Sequence, residues 1–298
     1  MNADHLKRIK KAVIPIAGAG TRMFPETHFI KKVLLPVPDE EGVVKPALLY
    51  MLEELADCGI EEILLIVGEG ETEDYERVLK FSFDGRFEQK LPKNVRKYYG
   101  KIHALGEKVR FVVQKEKKGF GHAVYQARQY LNWEPCVLLL GDFLYRSDTT
   151  VSCTKQTIDA YDSDAQNAVI GIRKIDVRDC VNYGIIHGVF RNNDAGVMDA
   201  DAMVEKPSVE RAEKELLVNG DCYATFGSYV LTDDIFEYVG RAIEYKDRTG
   251  DMSETDLTGA FMDVAQKGRL TGVVIKGQSF DVGLPEMYRR TFTEFGKR

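Results

Sequence analysis

No two cysteines in this chain form a Cys-x-x-Cys pair. The five present, Cys58, Cys136, Cys153, Cys180 and Cys222, are an odd and scattered set that reads as reduced thiols. The five histidines, His5, His28, His103, His122 and His187, are equally dispersed, with no His-x-x-x-His and no His/Cys group at zinc spacing, which argues against a structural zinc site. A Gly-x-Ser-x-Gly nucleophile elbow is also missing. No apolar run approaches the roughly 18 residues needed to span a bilayer, and the opening MNADHLKRIKK has no apolar signal core, so the expected location is cytoplasmic, with no membrane partner. Positive charge is not in excess: a net charge of -6 and a pI near 5.6 disfavour a nucleic acid polymer as partner. What is there is ordinary globular material. The 298 residues are 44% hydrophobic and 30% charged, enough for a substantial core in one large domain or one with an appended lobe.

The chain is organised around residues 11–36, KAVIPIAGAGTRMFPETHFIKKVLLP. Residues 12–17 are apolar, short and stopped by glycine, which predicts a buried strand. Gly18 and Gly20 then allow a sharp turn and leave amide N–H groups free to face anionic oxygens, while Arg22 and Lys32 add fixed positive charge. Taken alone, the Gly-x-Gly spacing fits a tight turn as well as a phosphate loop. A dinucleotide fingerprint needs glycine where Met23 stands, and a Walker A loop needs Gly-Lys-Ser/Thr where the chain reads Gly20-Thr21-Arg22.

Helical spacing follows through Leu48, Met51, Leu52 and Leu55, then a strand at residues 63–67 and a helix over 72–81. Residues 82–107 are polar and irregular and read as a peripheral excursion. A strand at 109–113, a helix over 119–131 and a strand ending at Gly141-Asp142 complete an alternating β/α series. In open parallel sheets the carboxyl ends of strands line the ligand crevice, so the loop after Ala17 and the aspartate after Leu140 are expected to face one cleft. From Asp142 onward short β-like runs dominate (168–172, 183–190, 197–204, 223–231), followed by helices over 233–242 and 255–266, a strand at 270–275 and a last helix from Pro285. Four further places put charge or glycine at a strand end: Gln114 with Gly119-Phe120-Gly121-His122, Gly141-Asp142, Glu205-Lys206-Pro207, and Asp281-Val282-Gly283. Each by itself also fits a turn or a helix cap.

In order and spacing these motifs resemble the bacterial UTP-glucose-1-phosphate uridylyltransferases, within the wider sugar-1-phosphate nucleotidyltransferases. The resemblance runs from Gly18-Ala19-Gly20-Thr21-Arg22-Met23 and Pro25, through Lys32, Lys45-Pro46, Gln114, Gly119-Phe120-Gly121-His122-Ala123, Asn182-Tyr183-Gly184 and Glu205-Lys206-Pro207, to Gly227, Leu257-Thr258 and Asp281-Val282-Gly283. It implies an α/β fold: a Rossmann-like, mixed and mostly parallel sheet flanked by helices, of the nucleotide-diphospho-sugar transferase type, with a smaller β-rich sugar-binding portion. Residues 1–298 would be one nucleotidyltransferase domain. Its nucleotide-binding part would span about 8–145 and 268–284, its sugar-binding part about 146–267, and its C-terminal helix about 285–298.

The implied reaction is attack by a sugar-1-phosphate oxygen on the α-phosphorus of a nucleoside triphosphate, UTP with glucose 1-phosphate before all others, giving UDP-glucose and pyrophosphate. A thymidylyltransferase or another sugar-1-phosphate nucleotidyltransferase is the runner-up, and a non-catalytic nucleotide-sugar-binding regulator the third reading. Two anions must be brought together, so catalysis reduces to positioning and charge neutralisation. By similarity Ala17, Gly18, Ala19, Gly20 and Thr21 hold the nucleotide with Arg22. Lys32 lies by the reacting phosphates, Gln114 and Gly119 read the base, and Gly184, Glu205 and Lys206 hold the sugar phosphate. Asp142 and Asp281 are the implied ligands of Mg²⁺, a hard cation suited to carboxylate oxygens. A homo-oligomer, dimer or tetramer, is also implied.

The chain departs from the family pattern at Lys31 and Val33, at Gly141, at Ser228, in the Glu254-Thr255-Asp256-Leu257-Thr258 stretch and in an extended 39–44 connection. Lys31 is expected to add charge beside the phosphates, and the changes together leave nucleotide and sugar identity open.

Overall fold

The structure is a computed structural model that describes residues 9–80, 89–191 and 196–297. Its first strand, β1 (Lys11–Pro15), is buried on both faces, with Ala12 and Ile14 in one core and Val13 in the other, as the alternation of side chains along a strand requires. The chain then passes through the glycine loop, short helical turns and a small hairpin of β2 (Pro36–Pro38) and β3 (Val44–Pro46). A helix follows at Ala47–Asp57, burying Leu48, Met51, Leu52 and Leu55 against the sheet. Next come β4 (Glu62–Gly68), β5 (Val109–Gln114), β6 (Cys136–Leu139) and the short β7 (Phe143–Ser147). The later strands are β8 (Ala168–Ile175), β9 (Gly184–Phe190), β10 (Val197–Glu205), β11 (Cys222–Leu231), β12 (Leu270–Val274) and β13 (Gly277–Asp281).

Nine strands form one sheet in the order β5-β4-β1-β6-β11-β8-β12-β10-β9, with β11 also reaching β9. The parallel character sits in two places: the run β5-β4-β1-β6 and the β8–β12 pair. The pairings of β11 with β6 and β8, and of β10 with β12 and β9, are antiparallel. The mostly parallel sheet expected from the sequence therefore describes the β1 side, while the other half is mixed. The inner parallel strands β4, β1 and β6 are apolar along nearly their whole length because both their faces are covered, whereas the edge strand β5 carries exposed Arg110 and Val113. The core accordingly divides into two large clusters, one on each face, and a small third one around Cys180, Ile185 and Ala212.

The expected excursion over residues 82–107 contains a helix, Lys93–Gly106. Its Tyr98, Ile102 and Leu105 recur at helical spacing and pack on the first large cluster, so the polar composition had concealed a periodic face. Residues 81–88 lie outside those described, including Phe81 at the end of the helix expected over 72–81; that helix is seen at Thr72–Leu79. The single helix expected over 119–131 is two short ones, Phe120–Tyr125 and Arg128–Leu131. The helix expected from Thr255 begins at Thr258, leaving residues 254–257 as a connecting strap. The helix expected over 233–242 continues through Asp233–Thr249, with acidic residues in its first turn, basic ones in its last and Gly250 closing it in the left-handed conformation at φ 72. Among the described residues no helix is long and apolar enough to cross a membrane.

Candidate active site

Register brings the loop and the first aspartate together. β1 pairs in parallel with β6, Lys11 opposite Cys136 and Val13 opposite Leu138, so both strands end on the same edge of the sheet. Beyond them Gly141 passes so close to the Pro15 carbonyl that a side chain there would collide with it. The chain leaves β1 through residues 16–20, where Gly18, Ala19, Thr21 and Arg22 are exposed and Ala17 is buried. Gly20 takes φ 65, and its carbonyl accepts a 2.9 Å hydrogen bond from the Thr27 hydroxyl, which fixes the turn.

The second aspartate arrives by a separate ribbon. β7 and β13 pair antiparallel with Asp281 opposite Phe143, and the Val282 N–H donates to the Asp142 carbonyl at 2.8 Å. Asp142, preceding β7, and Asp281, ending β13, thereby converge. A Cβ on Gly283 would stand 2.9 Å from Asp142 Oδ2 and 3.0 Å from Asp281 Oδ1. The Gly283 N–H donates to Asp281, and the Thr291 hydroxyl donates to the Asp281 carbonyl at 2.7 Å, anchoring this end to the helix Pro285–Glu294.

Lys32 lies against the pair. Its Nζ donates to Asp142 Oδ2 at 2.9 Å with both side chains largely buried, and the Arg22 guanidinium stands 4.0 Å from the same oxygen. Burial pushes the Asp281 carboxyl above its ordinary value and the Asp142 charge adds to this, while Lys32 and Arg22 oppose it. Two carboxylates and two cations in one partly dry spot form a site built around charge. Among the described residues no group of three metal-ligating side chains occurs, and the two carboxylates are hard oxygen donors of the kind that would suit Mg²⁺.

Gln114 ends β5 and is 4% exposed. Its Nε2 lies 3.3 Å from the Gly119 carbonyl and 3.1 Å from His122 Nδ1. Gly119 holds φ 104, and a Cβ there would meet Thr255 O at 2.6 Å and Thr255 N at 2.7 Å. The strap at residues 254–257 is the cause. Thr255 N–H donates to Lys118 O at 2.8 Å and Gly121 N–H donates to Thr255 O at 2.7 Å, clasping the Gly119 turn from behind. Sequence reasoning took this stretch as a departure from the family pattern and as the start of a helix, not as a clasp. Its signal was Gly119 and Gly121 two residues apart, both lacking room for a side chain.

Gly184 and Glu205 face each other at one end of the β9–β10 pair. A Cβ on Gly184 would stand 3.0 Å from Glu205 Oε2, so the glycine makes room for that carboxylate. Lys206 takes φ 47, and its exposed Nζ is 3.6 Å from Glu205 Oε1. Tyr229 lies buried between the two groups: burial pushes its hydroxyl up to about 12, and the charges of both Glu205 and Asp142 act on it in the same direction. Gly227, at φ 111, lies under the Tyr145 hydroxyl, which donates to its carbonyl at 2.6 Å.

The departures from the family pattern resolve into structure. Lys31 does not add free charge beside the phosphates, because its Nζ is 2.9 Å from Glu71 and 3.8 Å from Asp74. Ser228 is buried and shares a 2.6 Å hydrogen bond with Thr157. The 39–44 connection forms the β2–β3 turn, where Asp39 accepts from the Val43 N–H and pairs with Lys45. A surface hollow of about 450 Å³ beside Tyr125, Arg128 and Trp133 lies apart from these groups, and its Arg128 is held by Asp233 at 3.5 Å and the Trp133 ring at 4.8 Å.

Residues 11–296 match the model of the family described as nucleotidyl transferase. The chain is 33% identical to UTP–glucose-1-phosphate uridylyltransferase 2 of Staphylococcus saprophyticus, over 97% of this chain and 93% of that protein. It is 34% identical to the Bacillus subtilis UTP–glucose-1-phosphate uridylyltransferase YngB, over 93% and 86%. Among solved structures, apo UDP-glucose pyrophosphorylase superposes with a TM-score of 0.81 at 29% identity, covering 97% of this chain and 98% of that one. A UDP-glucose pyrophosphorylase complexed with UDP-glucose superposes at 0.77 with 28% identity, covering 97% and 99%. The expected α/β fold and the expected family agree with these relatives, and the chain belongs to the nucleotidyl transferase family.

Proposed function

We propose that the chain transfers the uridylyl group of UTP to glucose 1-phosphate, releasing pyrophosphate and forming UDP-glucose. The observation that carries this reading is the convergence of Lys32, Arg22, Asp142 and Asp281 beside the glycine loop. The loop backbone at Ala17, Gly18, Ala19, Gly20 and Thr21 receives the triphosphate, with Arg22 and Lys32 neutralising charge that grows as the α-phosphorus is attacked. Lys206, flanked by Glu205 and Gly184, holds the glucose phosphate so that its oxygen stands in line with the departing pyrophosphate. Gln114 and Gly119 read the pyrimidine.

The acceptor phosphate is already ionised at neutral pH, so the chain needs no side-chain base to deprotonate it. Asp142 and Asp281 would hold Mg²⁺, which supplies charge neutralisation on phosphate oxygens. The five cysteines are free and buried, in keeping with a cytoplasmic setting. The homo-oligomer belongs to this proposal too, resting on the family resemblance. Domain parts follow the same division, with the nucleotide on the β1 side of the sheet and the sugar on the β9–β10 side. The test is Mg²⁺-dependent pyrophosphate release across a panel of triphosphates and sugar phosphates. UTP with glucose 1-phosphate is expected to give the highest kcat/KM; a higher value with dTTP or another sugar phosphate would move the assignment to that pair.

A further inference from the structure

We propose that His122 is a positioning residue that sets which end of the Gln114 amide faces the nucleobase, so that its proton state governs the choice between pyrimidines. The inference rests on the reading of Gln114 as the base-recognising residue and goes one step deeper.

The geometry is a short relay. Gln114 Nε2 has two hydrogens and two neighbours, the Gly119 carbonyl at 3.3 Å and His122 Nδ1 at 3.1 Å. When Nδ1 carries a lone pair both hydrogens are used, and Oε1 is the end left for the base. That oxygen accepts from the N3–H of uracil or thymine and repels cytosine, whose N3 is itself an acceptor.

On the far side of the ring, Gln126 Nε2 lies 3.3 Å from His122 Nε2 and 3.1 Å from the His122 carbonyl. A neutral imidazole donates at one nitrogen and accepts at the other. It therefore cannot accept from both amides, and with Nδ1 serving Gln114, Gln126 must turn its oxygen to Nε2–H and give up its own donation to the His122 carbonyl. Protonation makes both ring nitrogens donors. Gln114 must then turn Oε1 to the ring and give up the Gly119 carbonyl, and its NH₂ faces the base, where it suits the N3 acceptor of cytosine.

The groups that bear on this equilibrium come from two elements. Lys118 and Glu116 belong to the preceding loop, with Lys118 Nζ 2.7 Å from Glu116, and Asp247, on the helix Asp233–Thr249, lies 2.9 Å from the same Lys118. Burial depresses the His122 imidazole below its ordinary value and Lys118 does so further, while Glu116, through carboxylate and backbone, and Asp247 oppose them. The ring is thus neutral at neutral pH, the state in which Nδ1 can accept.

The test is equilibrium binding of UTP and of CTP by calorimetry, which needs no turnover, on the full chain and its His122→Asn, His122→Leu and Gln114→Leu variants between about pH 8 and about pH 5.5. For the parental chain the UTP:CTP affinity ratio falls as the ring takes up its proton, by up to about tenfold, the worth of one neutral hydrogen bond. In His122→Asn the side-chain oxygen stands where Nδ1 stood and does not titrate, so the preference for UTP remains and its pH dependence vanishes. His122→Leu, checked for folding by its thermal transition, loses the preference at every pH.

A His122→Asn chain that keeps the parental pH dependence overturns the proposal, as does a folded His122→Leu chain with the parental ratio. Should Gln114→Leu bind UTP as tightly as the parent, the assignment of Gln114 as base reader fails. Should it bind UTP weakly while both His122 variants keep the parental ratio and profile, that assignment survives and the role of His122 alone is refuted.

Discussion

Replacing Lys32 by methionine removes a charge while keeping most of the stem, and its consequences follow from one contact. Lys32 Nζ is 2.9 Å from Asp142 Oδ2, with side-chain exposures of 19% and 21%. At an effective dielectric of about 20 the gross attraction is about 6 kcal/mol, but desolvation removes most of it, and a charge-assisted hydrogen bond is worth about 1.5–3 kcal/mol net. In the proposed reaction the same ammonium would face phosphate oxygens whose charge is growing, where losing one donor costs about 10²–10³ in turnover, or 3–4 kcal/mol. Lys32→Met is therefore expected to lower kcat by two to three orders of magnitude, with a smaller change in the KM for glucose 1-phosphate. The assay is coupled pyrophosphate release at saturating Mg²⁺, with the thermal transition measured alongside.

Stability has its own sign. Asp281 titrates above its ordinary value in the folded chain, so its contribution is full below the unfolded pKa and is lost as pH rises through the folded one. Without Lys32 the folded value climbs further, so the variant's deficit in Tm should be largest at neutral pH and shrink as pH falls toward 4. A folded Lys32→Met protein that turns over within tenfold of the parent, or whose Tm deficit is flat with pH, refutes the placement of Lys32 between the two carboxylates and the phosphates.

Asp281→Asn removes a buried charge that burial and Asp142 both disfavour; without metal the Tm at pH 7 should rise by a few degrees, while Mg²⁺-dependent turnover falls at least a hundredfold. Gly119→Ala combines φ 104 with a Cβ 2.6 Å from the Thr255 carbonyl. We expect a cost of about 2–4 kcal/mol from strain and overpacking and a raised KM for UTP at little-changed KM for glucose 1-phosphate, read by denaturant midpoint and initial rates. Lys45→Met should cost about 1.5–3 kcal/mol, because Lys45 lies 2.9 Å from the largely buried Glu53 and 4.4 Å from the Tyr50 ring centre, while Lys101 and Tyr98 stay on that carboxylate. Despite the cost of burial, Lys45 holds the Glu53 carboxyl below its ordinary value, so the parental contribution is lost only as pH falls through that depressed value. A denaturation series across acid pH would show the variant with a smaller step, since Lys101 remains 3.1 Å from Glu53.

The parallel half of the fold was legible because each buried strand is a short apolar run ending in glycine or charge, as at residues 12–17 and 137–140. The charged tips were legible for the same reason, and the structure does gather Arg22, Lys32, Asp142 and Asp281. The helix Lys93–Gly106 was hidden by its charges, since Tyr98, Ile102 and Leu105 make a narrow stripe among lysines. The strap at residues 254–257 left only an indirect mark, the glycines at 119 and 121: its partner, Gly119, lies far away in sequence, and the contact is made by backbone atoms that leave no trace in side-chain periodicity. Lys31 shows the opposite failure. Its type suggested the phosphates, but its partner Glu71 is fixed by the turn after β4, where the Gly68 N–H also donates to that carboxylate.

The ribbon of β7 and β13 has a consequence for the order in which the molecule matures. Its two strands are separated by most of the β-rich half of the chain, yet Phe143 must meet Asp281 before the acidic pair exists. The glycine loop and Asp142 can be in place early, since β1, β4 and β6 come from the first half. Closure of a loop more than a hundred residues long, made slow by the entropy of bringing distant segments together, is thus the event that completes the acidic pair. A ribosome-bound chain arrested before residue 277 would lack that closure.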